Sequence, residues 1–150
     1  MLSPAPDVWS IRGALGAELP ADYVELARRY GPGCFGEFLW LLVPGAGNRN
    51  LEMLTQTGHQ RGALLYLRNE GEEPPYEPAD LIPWAITDNG DVAYFLTSGD
   101  PWTVVINESR GPDWYAFDGG VTEFLVAWLS GRERVSVFPD DSPLGPTFRR

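Results

Sequence analysis

The chain contains no lysine. All 11 of its basic residues are arginines, set against 21 acidic residues for a formal net charge of -10. A protein that grips nucleic acid needs a basic face to displace phosphate counterions, and an anionic membrane attracts cations for the same reason, so this balance excludes both partners. It suits a basic protein partner, or simply a well-dispersed surface. Thiols and imidazoles are equally scarce. Cys34 is the only cysteine, which excludes an internal disulfide and any metal site built on several thiolates. Its setting, among glycines and beside Phe35, predicts a small buried residue. His59, the only histidine, stands in the polar stretch Thr57-Gly58-His59-Gln60-Arg61 and is expected in solvent. A Cys-His dyad is therefore poorly supplied. There is no apolar run of about 18 residues, and Met1 to Asp7 carries neither the basic nor the apolar part of a secretion signal, so a cytoplasmic protein is expected.

What is present fits one compact domain spanning 1–150, since a single core serves about 100 to 200 residues. Hydrophobic residues make up 43% and mean hydropathy is -0.21, neither disordered nor membrane-like. With 17 glycines and 14 prolines, the chain is heavily punctuated.

The first firm helix follows Pro20. Tyr23, Leu26, Ala27 and Tyr30 recur on one face, Asp22, Glu25, Arg28 and Arg29 take the other, and Gly31-Pro32 stops it. Val8, Ile11, Leu15 and Leu19 suggest a shorter helix upstream. Phe38 to Val43 is an apolar run bounded by glycine and proline, which predicts a buried strand. A second helix is expected from about Asn50 to Leu67, capped by Asn48 or Asn50, with Leu51, Leu54 and Leu65 inward. Ile82 to Thr87 and Asp91 to Thr97 flank Asn89-Gly90, a strong hairpin signal. Trp102 to Asn107 and Trp114 to Phe117 extend this into an antiparallel meander of about four strands, with a face for helices to cover. Val121, Phe124, Leu125, Trp128 and Leu129 mark a final helix closed by Gly131. The order of elements predicts an α+β fold: N-terminal helices, an antiparallel sheet with helices packed against one face, and a C-terminal helix.

Chemical motifs are few. Gly31-Pro32-Gly33-Cys34-Phe35-Gly36 spells a dinucleotide fingerprint, but it follows a helix and precedes a strand, the reverse of the required order, so it reads as a turn. Asp88-Asn89-Gly90-Asp91 lacks the remaining ligands of a calcium loop. No catalytic, cofactor or metal residues are assigned. Trp84, Trp102 and Trp114 fall on neighbouring predicted strands, as core if they share the buried face and as an aromatic strip for a partner or sugar if they do not. The acids concentrate in a proline-rich loop, Glu70, Glu72, Glu73, Glu77 and Asp80, and around turns, Asp88, Asp91 and Asp100. These eight are the candidate partner-binding residues.

Leu19-Pro20-Ala21-Asp22-Tyr23 through Tyr30-Gly31, Gly36 and the strand ending at Pro44, Ile82-Pro83-Trp84-Ala85 with Asn89-Gly90-Asp91, Gly99-Asp100-Pro101-Trp102, and Thr122-Glu123-Phe124-Leu125 with Gly131 together resemble the SUKH superfamily over about residues 8 to 131. Residues 132–150 then form a C-terminal extension. The resemblance implies an α+β fold and, for bacterial members, an immunity protein: a small, non-enzymatic cytoplasmic inhibitor of a toxin, often a nuclease. It also leaves open a regulatory interaction module without a toxin partner, like the fungal member. Residue chemistry alone leaves a carboxylate enzyme or glycan binder as a further alternative. The expected partner is a basic cognate toxin, bound by a monomer without a cofactor.

Overall fold

The computed structural model describes residues 18–109 and 111–150, so of the helix expected over Val8, Ile11, Leu15 and Leu19 all but Leu19 lies outside the described residues, and Leu19 is buried without being helical. Helix α1, Ala21–Tyr30, starts where Pro20 fixes φ at -59 and ends where Gly31 takes φ 71 and returns its N–H to Ala27 O. Tyr23 and Ala27 are buried, and Leu26 and Tyr30 pack at the core margin, as the spacing predicts. Strand β1, Cys34–Phe35, pairs with β2, Leu39–Leu41. The connection uses left-handed backbone at Gly36 (φ 60) and Glu37 (φ 59). Past β2 the expected strand loosens: Leu42 donates to Trp84 O, and Val43 makes an isolated parallel bridge to Glu52.

Helix α2, Met53–Asn69, corrects two expectations. Its N-cap is Glu52, whose carboxylate accepts from Leu54 N at 3.0 Å and Thr55 N at 2.8 Å, while Asn48 caps the separate 3-10 turn Arg49–Leu51. Its inward residues are Met53, Thr57 and Leu64, whereas Leu54 and Leu65 are exposed and Leu51 is half-buried. The leucine periodicity misleads because polar groups hold inward positions. Thr57 bonds its own helix at Met53 O, and Arg61 donates to Leu81 O and Ala79 O at 3.0 Å. Burial pushes the Arg61 guanidinium down, against the opposing field of Asp80.

The meander follows as β3, Leu81–Thr87, β4, Val92–Leu96, β5, Thr103–Asn107, and β6, Trp114–Phe117. Pro83 lacks a ladder N–H, and the β3–β4 register shifts beside it, between Pro83 and Ala85. Gly90, at φ 88, closes the β3–β4 turn with its N–H on Thr87 O. Helix α3, Val121–Leu129, buries Val121, Phe124, Leu125 and Trp128, and Gly131 ends it at φ 81. Strand β7, Phe148–Arg149, pairs with β1 and completes an antiparallel sheet in the order β6-β5-β4-β3-β2-β1-β7. Residues 132–150, expected as an extension, thus supply an edge strand, and they also place Val135 and Phe138 in the core.

The α+β class is as expected, with one difference in layering. Helices α1 and α3 cover one face, where Tyr23, Phe124 and Trp128 meet Trp84, Phe95, Val104 and Ile106. Helix α2 covers the other, where Leu64 meets Leu81, Val92, Tyr94 and Val105. Alternation explains the split: Ala93 and Phe95 of β4 point one way, Val92 and Tyr94 the other, so nearly all of β4 is buried.

Candidate partner-binding face

The eight acids do not form one patch. β3 runs for seven residues, roughly 20 Å, and separates Asp80 at its start from Asp88 just past its end. Asp80 is half-buried and gives its carbonyl to Thr97, so it sits with exposed Asp100 at the β4–β5 end of the sheet. Asp88 is exposed at the opposite end, where it accepts the Trp40 indole N–H at 2.7 Å. Asp91 is only 2% exposed. Its carboxylate takes the Thr87 hydroxyl and the Ser109 N–H, so it is a buried tie inside the hairpin and not, as expected, a partner-facing charge.

Glu70, Glu72, Glu73 and Glu77 are all exposed. The chain leaves α2 in a tight turn, with Glu70 N donating to Tyr66 O and Leu67 O and Glu72 N donating to Leu67 O. Glu77 folds back to pair with Arg68 at 2.8 Å, and that bond, with the charges of Glu77 and Glu73, pushes the Arg68 pKa further up. Glu72 and Glu73 are thereby brought to the rim of a groove of about 470 Å³, which also takes in Leu64, Leu67, Pro74, Asn107, Gly111, Pro112 and Trp114. Trp114 is fixed there by Tyr94, stacked at 5.8 Å, and by the edge contact of Tyr76 at 5.2 Å.

Leu67 of α2 lines this groove and is 38% exposed, while Leu65 and Tyr66, at 46% and 63%, point to other sides of the same helix end, since consecutive helical residues lie about 100° apart. Sequence reasoning missed this exposed apolar surface because it turned Leu65 inward. The signal was present in the unbroken run Leu64 to Leu67, which no helix with one buried stripe can hide completely. The outcome is a partly apolar, acid-rimmed surface built from the end of α2, the 70–80 loop and the β5–β6 turn.

The tryptophans divide as the alternation requires. Trp84 is fully buried, Trp102 packs half-buried on the same cluster, and Trp114 belongs to the opposite face. Trp40 lines a second groove of about 470 Å³ with Asn48, Asn50, Gln56, His59, Gln60 and Asp88. Asp88 is the one carboxylate among its lining residues, and one of its oxygens is already committed to the indole. His59 is exposed, while Cys34 is fully buried; burial, and then the charge of Asp88, push its thiol up to about 11, the opposite of an activated nucleophile. Among the described residues no group of three or more His, Cys, Asp or Glu is placed to hold a metal, and no helix is long and apolar enough to cross a membrane.

No protein-family model, curated protein or solved structure matches the chain.

Proposed function

We propose that the protein is a stoichiometric inhibitor of the immunity type, which binds a basic toxin domain and blocks it without chemistry of its own. The observation that carries this reading is the acid-rimmed groove lined by Leu64, Leu67, Pro74 and Trp114, at a helix end that also exposes Leu65 and Tyr66. Large apolar side chains in water favour a protein partner, because desolvated aliphatic and aromatic anchors supply most interface energy. The surrounding carboxylates select a basic one, in keeping with a net charge of -10. A nuclease must offer phosphates a basic cleft, so an acidic surface can occupy that cleft in their place. The similarity to SUKH immunity proteins supplies the partner class, and the charge pattern fits it.

The carboxylate-enzyme reading has less support. Acid-base chemistry on a glycoside needs two carboxylates flanking the scissile bond; the Trp40 groove has only Asp88 in its lining, and Glu72 and Glu73 of the other groove are consecutive residues of one loop.

The test is co-expression with the product of the neighbouring gene, scoring rescue from toxicity and co-purification. Rescue together with a one-to-one complex is the expected result. A complex without any toxic partner would turn the reading into that of a regulatory module. Rescue without a complex would overturn stoichiometric inhibition in favour of an enzyme.

A further inference from the structure

We propose that the groove between α2, the 70–80 loop and the β5–β6 turn is an arginine pocket, which takes one guanidinium side chain from the partner. The inference rests on the binding reading above and adds what the face grips. Its walls and its rim differ in chemistry. Leu64, Leu67, Pro74 and Pro112 offer aliphatic surface, against which the three-methylene stem of an arginine can be buried. The rim offers acceptors. Glu72 and Glu73 are consecutive, exposed carboxylates. Asn107, which commits its side-chain N–H groups to Gly111 O at 3.4 Å and Asp113 O at 3.1 Å, lines the groove beside them.

Among the described residues the cation near Glu73 does not fill this role. Arg68 is held by Glu77 at 2.8 Å, and Glu70, Glu72, Glu73 and Glu77 outnumber it and Arg110 of the β5–β6 turn taken together. The face therefore keeps an excess of negative charge over an apolar floor, and the matching ligand is a cation on an aliphatic stem. Arginine fits better than lysine: a guanidinium is flat, sheds water more readily, and presents a fork of donors that can span two carboxylates. A second copy of this chain is the wrong occupant, because two bodies at -10 each repel.

The test uses the full-length protein and small probes. Titrations with N-acetyl-arginine amide, N-acetyl-lysine amide and N-acetyl-norleucine amide are followed by NMR at the Trp114 indole N–H and the Asn107 side-chain amide. The arginine probe should shift both signals and saturate with a dissociation constant of order 1 mM, a few kcal/mol for one isolated anchor. The lysine probe should bind several-fold more weakly and norleucine not at all. Replacing the exposed pair, Glu72→Gln with Glu73→Gln, should weaken the arginine probe about tenfold while leaving the remaining spectrum unchanged. Equal response to lysine or norleucine, no response, indifference to the double substitution, or self-association through these residues would each overturn the pocket. The two inferences fail separately. A protein that neutralises its toxin but ignores the arginine probe loses the pocket alone, and one that binds the probe but never rescues loses the immunity reading alone.

Discussion

Thr87 and Asp91 close the β3–β4 turn on each other: the Thr87 hydroxyl donates to Asp91 Oδ2 at 2.8 Å and accepts the Asp91 N–H at 3.0 Å. The other carboxylate oxygen takes the Ser109 N–H at 2.9 Å, so one side chain joins the hairpin to the segment after β5. Asp91→Ala strands these donors in a site that is 2% exposed and should cost about 2 to 3 kcal/mol in urea unfolding. Asp88→Ala removes an acceptor from the half-exposed Trp40 indole and should cost about 1 kcal/mol or less. Equal losses would contradict the buried-tie account.

Glu52 gives α2 a pH-dependent start. Burial works against its charge, but donors from Gly45, Thr55 and Leu54 outweigh it and hold the carboxyl below its ordinary 4.5. A lowered native pKa means stability fully present above the unfolded value and lost as pH falls through the native one. Glu52→Gln should therefore cost about 1 kcal/mol at neutral pH, as the loss of an N-cap does. The gap between wild type and variant should narrow progressively as pH falls below the ordinary 4.5, read from thermal melts across the acid range. A gap independent of pH would show that shape, not charge, makes the cap.

The legible parts of the fold are those where one local signal decides. Pro20 and Gly31 bracket α1, Asn89-Gly90 sets the hairpin, and Val121 to Leu129 carries an unmixed apolar stripe. α2 was less legible because its buried face is part polar: Thr57 satisfies itself on Met53 O of its own helix, and Arg61 on Leu81 O and Ala79 O, at and just before the start of β3, partners 20 and 18 residues away that only the fold brings near. β7 was invisible for a related reason, since two residues contain no period and pairing with β1 is a long-range event. At the site, the loop acids could be read from composition. The groove they rim could not, because Asn107 and Trp114 reach it through the register of β5 with β6.

The tail should guard the thiol. Phe148 packs on Phe35 at 4.7 Å and on Tyr30 at 4.9 Å, and Arg149 lies opposite Cys34 in the β1–β7 pairing. With its thiol pushed up to about 11 and no exposed surface, Cys34 should resist iodoacetamide at pH 8 and react only on unfolding. Phe148→Ala removes a half-buried ring, should cost about 2 kcal/mol, and should raise the alkylation rate at least about tenfold by loosening this edge. An unchanged rate would mean that β7 does not hold the edge closed.

The loop acids should control how fast the partner is found, with Glu72 and Glu73 also helping to hold it at the groove. Glu70, Glu72, Glu73 and Glu77 are exposed and lie on one loop, so their fields add at distance but are screened beyond about 8 Å at physiological salt. Neutralising all four to Gln should slow association with the purified toxin about tenfold or more at low salt and flatten its salt dependence, since steering lifts on-rates from roughly 10⁵–10⁶ toward 10⁸ M⁻¹s⁻¹. Tyr66→Ala, at a 63% exposed apolar position, should act mainly on dissociation, raising the off-rate with little change in the salt slope. Asp100→Asn, at the other end of the sheet from Asp88, should leave both rates close to wild type. If the four-glutamine variant kept the wild-type on-rate and salt slope by stopped-flow fluorescence, the acidic loop would have no part in encounter, and the charge of -10 would be left as a dispersing surface.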